Sequence, residues 1–174
     1  MEIIKAKVED FDLIYSEMEK NFVREEIRDR KAARAVMEDE KYVIYHVAKD
    51  GTRVGFMTVW ELSDFAFLEH FVTYEKFRNK GYGHEALTLL KEKYKKIILE
   101  SEPPCNDIQK RRISFYERNG FTKNDFPYIQ PPYREDDEGV PLLIMSYPSK
   151  LSDFDAHVTE IYGRVYKKTY RSKK

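Results

Sequence analysis

Residues 78–84 read Arg-Asn-Lys-Gly-Tyr-Gly-His and combine two glycines with two basic side chains. An apolar run, 65–73, precedes this segment, and a run with helical spacing, 84–94, follows it. Glycines where a strand gives way to a helix leave backbone N–H groups uncovered, and the helix N-terminus adds positive partial charge. Together with the full charges of Arg78 and Lys80, these features favour binding of a pyrophosphate.

Two other interpretations of the glycines exist. Residues 81–86 fit the dinucleotide pattern G-x-G-x-x-A, and Glu100 follows at about the distance expected of a ribose-binding acid. Three features oppose that interpretation: polar, basic residues separate the glycines from the strand, the turn carries Arg78 and Lys80, and the chain after Glu100 is too short for further parallel β-α units. The second alternative is that the glycines only cap a turn.

Length and charge restrict the class of protein. The chain has 174 residues, with 31 Lys plus Arg balanced by 31 Asp plus Glu. We expect a single domain over 1–174, and the zero net charge argues against nucleic acid or a membrane surface as a general partner. One cysteine, Cys105, excludes an internal disulfide and fits a reducing compartment. Charges throughout residues 2–20 argue against a signal peptide, so we predict a cytoplasmic protein.

The order of elements predicts an α/β (α+β) protein. Hydrophobic periodicity predicts strands at 2–8, 42–48, 54–60, 65–73, 97–99, from 121, and at 140–147. It predicts helices at 9–21, 24–38, 81–94, 107–118 and about 151–171. The proline-rich, acidic stretch 127–139 is expected to be a long loop. A hairpin turn at Asp50-Gly51 followed by a β-α-β-α-β run implies a mixed sheet with helices on both faces. The last helix could pack on its own domain or on a second subunit, so a homodimer is possible.

Two segments carry a resemblance to a known family. Residues 78–83 resemble motif A, R-x-x-G-x-G, of the GNAT superfamily of acyl-CoA-dependent N-acetyltransferases. Residues 112–121 resemble the later helix of that family, which commonly ends Tyr-Glu-x-x-Gly-Phe. The Tyr-Ile-Gln-Pro-Pro-Tyr loop at 128–133 is similar to one in uncharacterised bacterial members. The resemblance covers 2–147 and implies a mostly antiparallel sheet whose central strand pair splays apart.

The resemblance also implies a co-substrate, acetyl-CoA, and no metal. Backbone N–H groups of the glycine loop would hold the pyrophosphate, and the end of the preceding strand would pair with the pantetheine arm. The slot for the thioester would lie between 71–73 and 97–100. The cofactor-binding residues implied are Phe71, Val72, Thr73, Arg78, Asn79, Lys80, Gly81, Tyr82, Gly83 and His84. The histidines are scattered along the sequence and give no metal-ligand spacing.

Acetyl transfer to an amine needs a base, a donor for the oxyanion and an acid for the leaving thiolate. By resemblance, Tyr116 is the acid, although it could instead pack in the core. The N–H of Val72 or Thr73 would serve the oxyanion. Glu69 is the candidate base, with a salt-bridged glutamate as the alternative role. Strand alternation predicts that Glu69 lies on the face opposite to His70.

The acceptor site is predicted from aromatic rings and carboxylates near the slot. Its predicted members are Glu100, Glu102, Tyr128, Gln130 and Tyr133. Rings beside carboxylates favour a cationic amine through charge and cation–π contact. Together with the family resemblance, these residues predict an N-acetyltransferase that acetylates a primary amine of a small molecule or peptide by direct attack in a ternary complex. The alternative within the same fold is a non-catalytic acyl-CoA sensor.

Overall fold

The computed structural model describes residues 1–170, and its elements follow the predicted order. The strands are β1 (Glu2–Lys5), β2 (Tyr42–Lys49), β3 (Thr52–Glu61), β4 (Ala66–Thr73), β5 (Ile97–Ser101), β6 (Thr122–Lys123), β7 (Tyr128–Gln130) and β8 (Val140–Tyr147). The α-helices are α1 (Phe11–Asn21), α2 (Arg30–Val36), α3 (Tyr82–Lys93), α4 (Asp107–Arg118) and α5 (Phe154–Ile161). Short 3-10 turns cover Val8–Asp10, Arg24–Glu26 and Glu75–Phe77, and a π-helical turn covers Tyr162–Tyr166. None of the helices within residues 1–170 has the length and apolar character needed to cross a membrane.

The strands form one mixed sheet in the order β1-β2-β3-β4-β5-β8-β6, with β7 paired to β8. Every pairing within residues 1–170 is antiparallel except that of β4 with β5. The predicted fold class, a mixed and mostly antiparallel sheet, is therefore confirmed. A dinucleotide-binding domain needs several parallel β-α units, so the dinucleotide interpretation of the glycines fails.

Each face of the sheet is covered by its own helices. One apolar core joins α1 and α5 to residues such as Phe56 and Trp60 of β3. The other core joins α3 and α4 to Met57 and Val59 of the same strand. The alternation along β3 produces this division, because successive side chains of a strand point to opposite faces. The α5 segment thus packs on its own domain, and the homodimer stays a prediction.

Local sequence accounts for the ends of several elements. Asp50 and Gly51 have φ of 50° and 75°, the left-handed pair that a tight hairpin requires. The side chain of Asn106 accepts a hydrogen bond of 2.9 Å from Gln109 N–H and begins α4. Gly120, with φ of 85°, follows the end of the same helix. The bounds predicted for α4, 107–118, are confirmed.

Four predicted elements differ from the structure. The strand expected at 2–8 ends at Lys5, and Val8–Asp10 form a 3-10 turn instead. The helix expected at 24–38 is interrupted, because Ile27 is extended and buried and Asp29 caps a separate α2. The loop expected at 127–139 contains β7, whose pairing with β8 a local pattern does not reveal. The helix expected at about 151–171 begins at Phe154 and passes into the π-helical turn after Ile161; residue 171 lies outside the described residues.

Gly55 in β3 provides a test of the packing of β3 against β4. A Cβ at this position would lie 2.1 Å from the carbonyl oxygen of Val72, so the two strands would have to separate. We expect Gly55→Ala to lower the free energy of unfolding by about 1–3 kcal/mol or more, measured by urea denaturation. Gly163→Ala is the control, because a Cβ there meets nothing within 4 Å and should not destabilise the fold. Equal stability of both variants would contradict the close approach.

Candidate active site

The glycine loop joins β4 to α3 and exposes its backbone donors. Asn79 has φ of 61° and Gly81 φ of 80°, and α3 begins at Tyr82. The N–H groups of residues 79–83 have no backbone or side-chain acceptor within residues 1–170. Asn79, Gly81, Tyr82 and Gly83 line the main cavity. Five consecutive free N–H groups at a helix N-terminus suit the binding of an anionic group.

The basic residues of this loop have different environments. Arg78 donates from Nη2 to Asn21 Oδ1 over 2.5 Å and from Nε to Thr73 C=O over 3.2 Å, which ties the loop to the end of α1. Lys80 does not line the cavity, and its ammonium lies 5.6 Å from the centre of the Phe77 ring. The loop is therefore braced by Arg78, while Lys80 stays outside the cavity.

The cavity opens where β4 and β5 diverge. The two strands pair only from Ala66 with Ile97 to Leu68 with Leu99. Beyond that point a cavity of about 920 Å³ separates residues 68–73 from residues 100–102. Residues 71–73 of β4 form one wall of this cavity, as predicted for the slot. Residues 97–99 do not form the second wall, because they are still paired with β4. Glu100, Ser101 and Glu102 form that wall instead.

The open edge of β4 presents alternate backbone groups to the cavity. Tyr74 N–H donates to Val54 C=O over 2.9 Å, which fixes Tyr74 as a residue bonded to β3. Bonding partners alternate along an antiparallel ladder, so Val72 also faces β3 while Phe71 and Thr73 face the cavity. Of the two predicted oxyanion donors, Val72 and Thr73, only Thr73 has its N–H directed towards the cavity.

A β-bulge at Glu69 changes which side chains share a face. Thr58 pairs with His70 and Val59 with Leu68, so Glu69 is the extra residue in β4. As a result, Glu69 and His70 lie on the same face, with His70 Nδ1 3.6 Å from Glu69 Oε2. The predicted opposite placement of Glu69 and His70 is wrong, because simple alternation fails at a bulge.

His70 is neutral and structural. Its Nε2 lies 3.0 Å from the carbonyl oxygen of Glu26, so Nε2 carries the proton and donates it. Its Nδ1 then accepts from the Thr58 hydroxyl over 2.9 Å. Burial lowers the pKa of His70, which keeps the ring uncharged. With both ring nitrogens engaged, His70 serves to hold β4 to β3 and to the segment around Glu26.

Glu69 is held as an anion by its neighbours. Arg28 Nη1 lies 2.7 Å from Glu69 Oε1, and the Tyr133 hydroxyl donates to the same oxygen over 2.9 Å. Burial acts to raise the pKa of Glu69, but the charge of Arg28 and the hydrogen bonds from Arg28 and Tyr133 hold it below its usual value. A carboxylate with a lowered pKa is a weak proton acceptor. The salt-bridged role that the sequence left open for Glu69 is the one observed.

Glu100 has the opposite electrostatic character. Tyr166 donates to Glu100 Oε2 over 2.7 Å, and Tyr128 donates to Oε1. Burial raises the pKa of Glu100 to about 7, and the negative charges of Glu69 and Glu26 act in the same direction. The hydrogen bonds from the two tyrosine hydroxyls lower this pKa, but by less. Glu100 lines the cavity. A carboxylate whose pKa lies near neutrality is suited to accept a proton and release it again.

Tyr116 lies on α4 at the cavity wall and is 8% exposed. Burial raises its pKa to about 12, so the phenol is protonated at neutral pH. Its hydroxyl makes no hydrogen bond to another group within residues 1–170. The ring packs against Phe115 and Phe121. Tyr116 therefore belongs to the core and also presents an unpaired proton donor to the cavity.

The predicted acceptor residues are brought together only in part. Gln130 is buried and donates to the carbonyl of Glu25 over 3.2 Å. Tyr128 does not line the cavity, but its hydroxyl donates a hydrogen bond to Glu100, which does. Glu102 lines the cavity and is paired with Arg112. The Tyr133 ring is already occupied by a cation from the chain itself, because the Arg28 guanidinium lies 4.5 Å from its centre.

Sequence analysis missed three residues of this site. Arg28 fell inside a predicted polar helix, Glu26 had no motif around it, and Tyr166 lay in the last predicted helix far from the glycine loop. Each is joined to the site by contacts between distant segments, which spacing along the chain does not reveal. Within residues 1–170, no group of three or more His, Cys, Asp or Glu residues is arranged to hold a metal ion.

Comparisons with known proteins agree with this geometry. Residues 8–121 match the sequence model of the family described as "Acetyltransferase (GNAT) family". The chain is 29% identical over 109 residues to YjbC of Bacillus subtilis (strain 168), named as an acetyltransferase; the match covers 62% of this chain and 55% of that protein, about half its length.

Two solved structures are similar along most of their length. A GNAT-family protein from Bacteroides thetaiotaomicron, named as an acetyltransferase, has a TM-score of 0.87 and 30% identity, covering 95% of this chain and 98% of that one. An aminoglycoside 6'-N-acetyltransferase complexed with coenzyme A has a TM-score of 0.61 and 14% identity, covering 88% and 100%, and shares the fold. The match to the family model and the similarity to the Bacteroides protein show that this chain belongs to the GNAT acetyltransferase family.

Proposed function

We propose that this protein transfers an acetyl group from acetyl-CoA to a primary amine of a small molecule or peptide, by direct attack in a ternary complex. The observation that carries the proposal is one cavity lined by the free N–H groups of the glycine loop, by the open edge of β4, and by Glu100 and Tyr116. Membership of the GNAT family supports an acyltransferase activity. The residues that line the cavity are the basis for the role that we assign to each group.

The loop residues 79–83 would hold the pyrophosphate of acetyl-CoA through their backbone N–H groups. The pantetheine arm would lie along the open edge of β4, where Phe71 and Thr73 offer backbone groups. Thr73 N–H would stabilise the oxyanion, because the partners of Val72 are in β3. The arm thus takes the place that a neighbouring strand would occupy, and it reaches the carboxylates beyond the point where β5 diverges.

Glu100 replaces Glu69 as our candidate for the general base. Glu69 is committed to Arg28 and has a lowered pKa, whereas burial raises the pKa of Glu100 to about 7. In the proposed reaction, Glu100 takes a proton from the ammonium group, and the amine nitrogen attacks the thioester carbon. The C–N bond forms and the C–S bond breaks. Tyr116 protonates the leaving thiolate and regains a proton from the acetylated nitrogen, and Glu100 releases its proton to solvent.

Binding of acetyl-CoA by the glycine loop is tested by thermal stability. A ligand that binds only the folded state raises the melting temperature, so saturating acetyl-CoA should raise that of the wild type. Gly81→Glu places a carboxylate beside the N–H groups and should abolish the rise. Gly51→Glu is the matched control, because Gly51 also has positive φ, 75°, but lies in the hairpin turn outside the cavity. Retention of the full rise in Gly81→Glu would exclude this loop as the site.

The role of Glu100 predicts a pH dependence. The carboxylate must be ionised to accept a proton, so kcat/KM should rise with pH and level off above about 7, the raised pKa of Glu100. Glu100→Gln should lower kcat/KM by about 10²–10⁴-fold and remove this dependence. Glu102→Gln should keep it. If the dependence disappears in Glu69→Gln but persists in Glu100→Gln, the base is Glu69.

Replacement of Tyr116 separates an enzyme from an acyl-CoA sensor. Tyr116→Phe removes the proton donor and should lower kcat by about 10²-fold or more while acetyl-CoA still raises the melting temperature. Tyr147→Phe is the control, since this ring packs against Phe121 away from the cavity lining. Wild-type protein that binds acetyl-CoA but acetylates no amine would instead identify a sensor.

A further inference from the structure

Most of the charged residues that line the main cavity fall in two parts; Arg111 also lines the cavity, and Arg112 lies beside Glu102. Basic side chains lie near the glycine loop: Arg78 is part of it, Lys20 precedes the Asn21 to which Arg78 is bonded, and Arg118 precedes the Asn119 bonded to His84. The carboxylates lie beyond the divergence of β4 and β5. They are Glu26, Glu69, Glu100 and Glu102. This division suits an anionic co-substrate in one part and a cationic molecule in the other.

Only two of the four carboxylates have a cation of their own. Glu69 is paired with Arg28 and Glu102 with Arg112. Glu26 and Glu100 form no ion pair within residues 1–170. When all four carboxylates are ionised, two of these negative charges, on Glu26 and Glu100, therefore have no cation in direct contact in the described part of the chain; Arg112 acts on Glu26 only at longer range.

The uncompensated carboxylates influence each other. Burial raises the pKa of Glu26, and Glu102 raises it further. Glu26 in turn is among the groups that raise the pKa of Glu100. Carboxylates that repel in this way are destabilised as anions, and a bound cation removes that cost. The arrangement is unfavourable in the free protein and becomes favourable when a positive ligand is present.

Two buried oxygens next to these carboxylates also lack partners. Ser101 is 4% exposed, and its hydroxyl makes no hydrogen bond within the described residues. Glu69 Oε2, on a side chain 1% exposed, likewise accepts none. Both residues line the cavity. Buried polar atoms are nearly always paired, and an ammonium group, which carries three donors, is able to pair with such oxygens.

We infer that the acceptor is a small dication, a primary amine that carries a second ammonium or guanidinium group and no carboxylate. The inference rests on the proposed function, in which Glu100 receives the reacting nitrogen and its proton. Glu26 would hold the second cation. The stacked position on Tyr133 is closed to the ligand, because Arg28 already fills it. A free carboxylate on the acceptor would add a third uncompensated negative charge and would be rejected.

Three five-carbon amines of matched length test the inference: pentylamine, 1,5-diaminopentane and 5-aminopentanoate. Each is assayed with acetyl-CoA by release of the CoA thiol and by detection of the acetylated product. A charged hydrogen bond to the second ammonium should give the diamine a kcat/KM roughly 10- to 100-fold above that of pentylamine. The aminopentanoate should be acetylated more slowly than either.

Glu26→Gln and Glu25→Gln form the matched pair of variants. Glu26→Gln should reduce the preference for the diamine over pentylamine by about tenfold or more. Glu25→Gln should leave that preference unchanged, because Glu25 does not line the cavity. Equal rates for the diamine and pentylamine, or faster acetylation of 5-aminopentanoate or of a peptide N-terminus, would overturn the inference while leaving the proposed acetyltransferase intact.

Calorimetric titration of the free protein with 1,5-diaminopentane distinguishes failure of this inference from failure of the proposed function. Binding that weakens about tenfold or more in Glu26→Gln, but not in Glu25→Gln, supports the dication site even if acetyl-CoA proves not to be the donor. Absence of both binding and acetylation of the diamine would overturn the inference. Absence of any effect of acetyl-CoA on the melting temperature would count against the proposed function alone.

Discussion

The buried ion pair between Arg28 and Glu69 is the interaction on which the site depends. The Arg28 guanidinium contacts Glu69 of β4, the Tyr133 ring in the loop after β7 and, over 2.9 Å, the carbonyl of Val165 in the π-helical turn. One side chain thus joins three segments that are far apart in sequence. A buried charge is costly unless its partners are complete, so these three segments are constrained to one arrangement.

The bulge at Glu69 and the divergence of β4 from β5 occur at adjacent positions. Pairing with β5 ends at Leu68, and the bulge follows at once. The bulge turns Glu69 toward Arg28, and the divergence gives Glu100 access to the cavity. Two carboxylates one strand apart thereby acquire opposite properties, because one is compensated by a cation and the other only by two phenols.

The C-terminal segment contributes to the site although it lies outside the part of the chain that matches the family model, residues 8–121. Val165 and Tyr166 belong to the same turn and contact, respectively, Arg28 and Glu100. The packing of α5 on the core holds this turn in place through Val158 and Ile161. Folding of the C-terminal segment and the electrostatics of the cavity are therefore linked.

The sequence by itself determined the local features. Glycines at 78–84 predicted a loop with uncovered N–H groups before a helix, Asp50-Gly51 predicted the hairpin, and periodicity predicted the bounds of α4, because each depends on neighbours a few residues away. Only the tertiary structure decided that Glu69 and His70 share a face, that Arg28 fills the cation position at Tyr133, and that Glu100 titrates near neutrality. Those outcomes depend on strand register and on burial, which bring distant residues together and cannot be read from spacing along one segment.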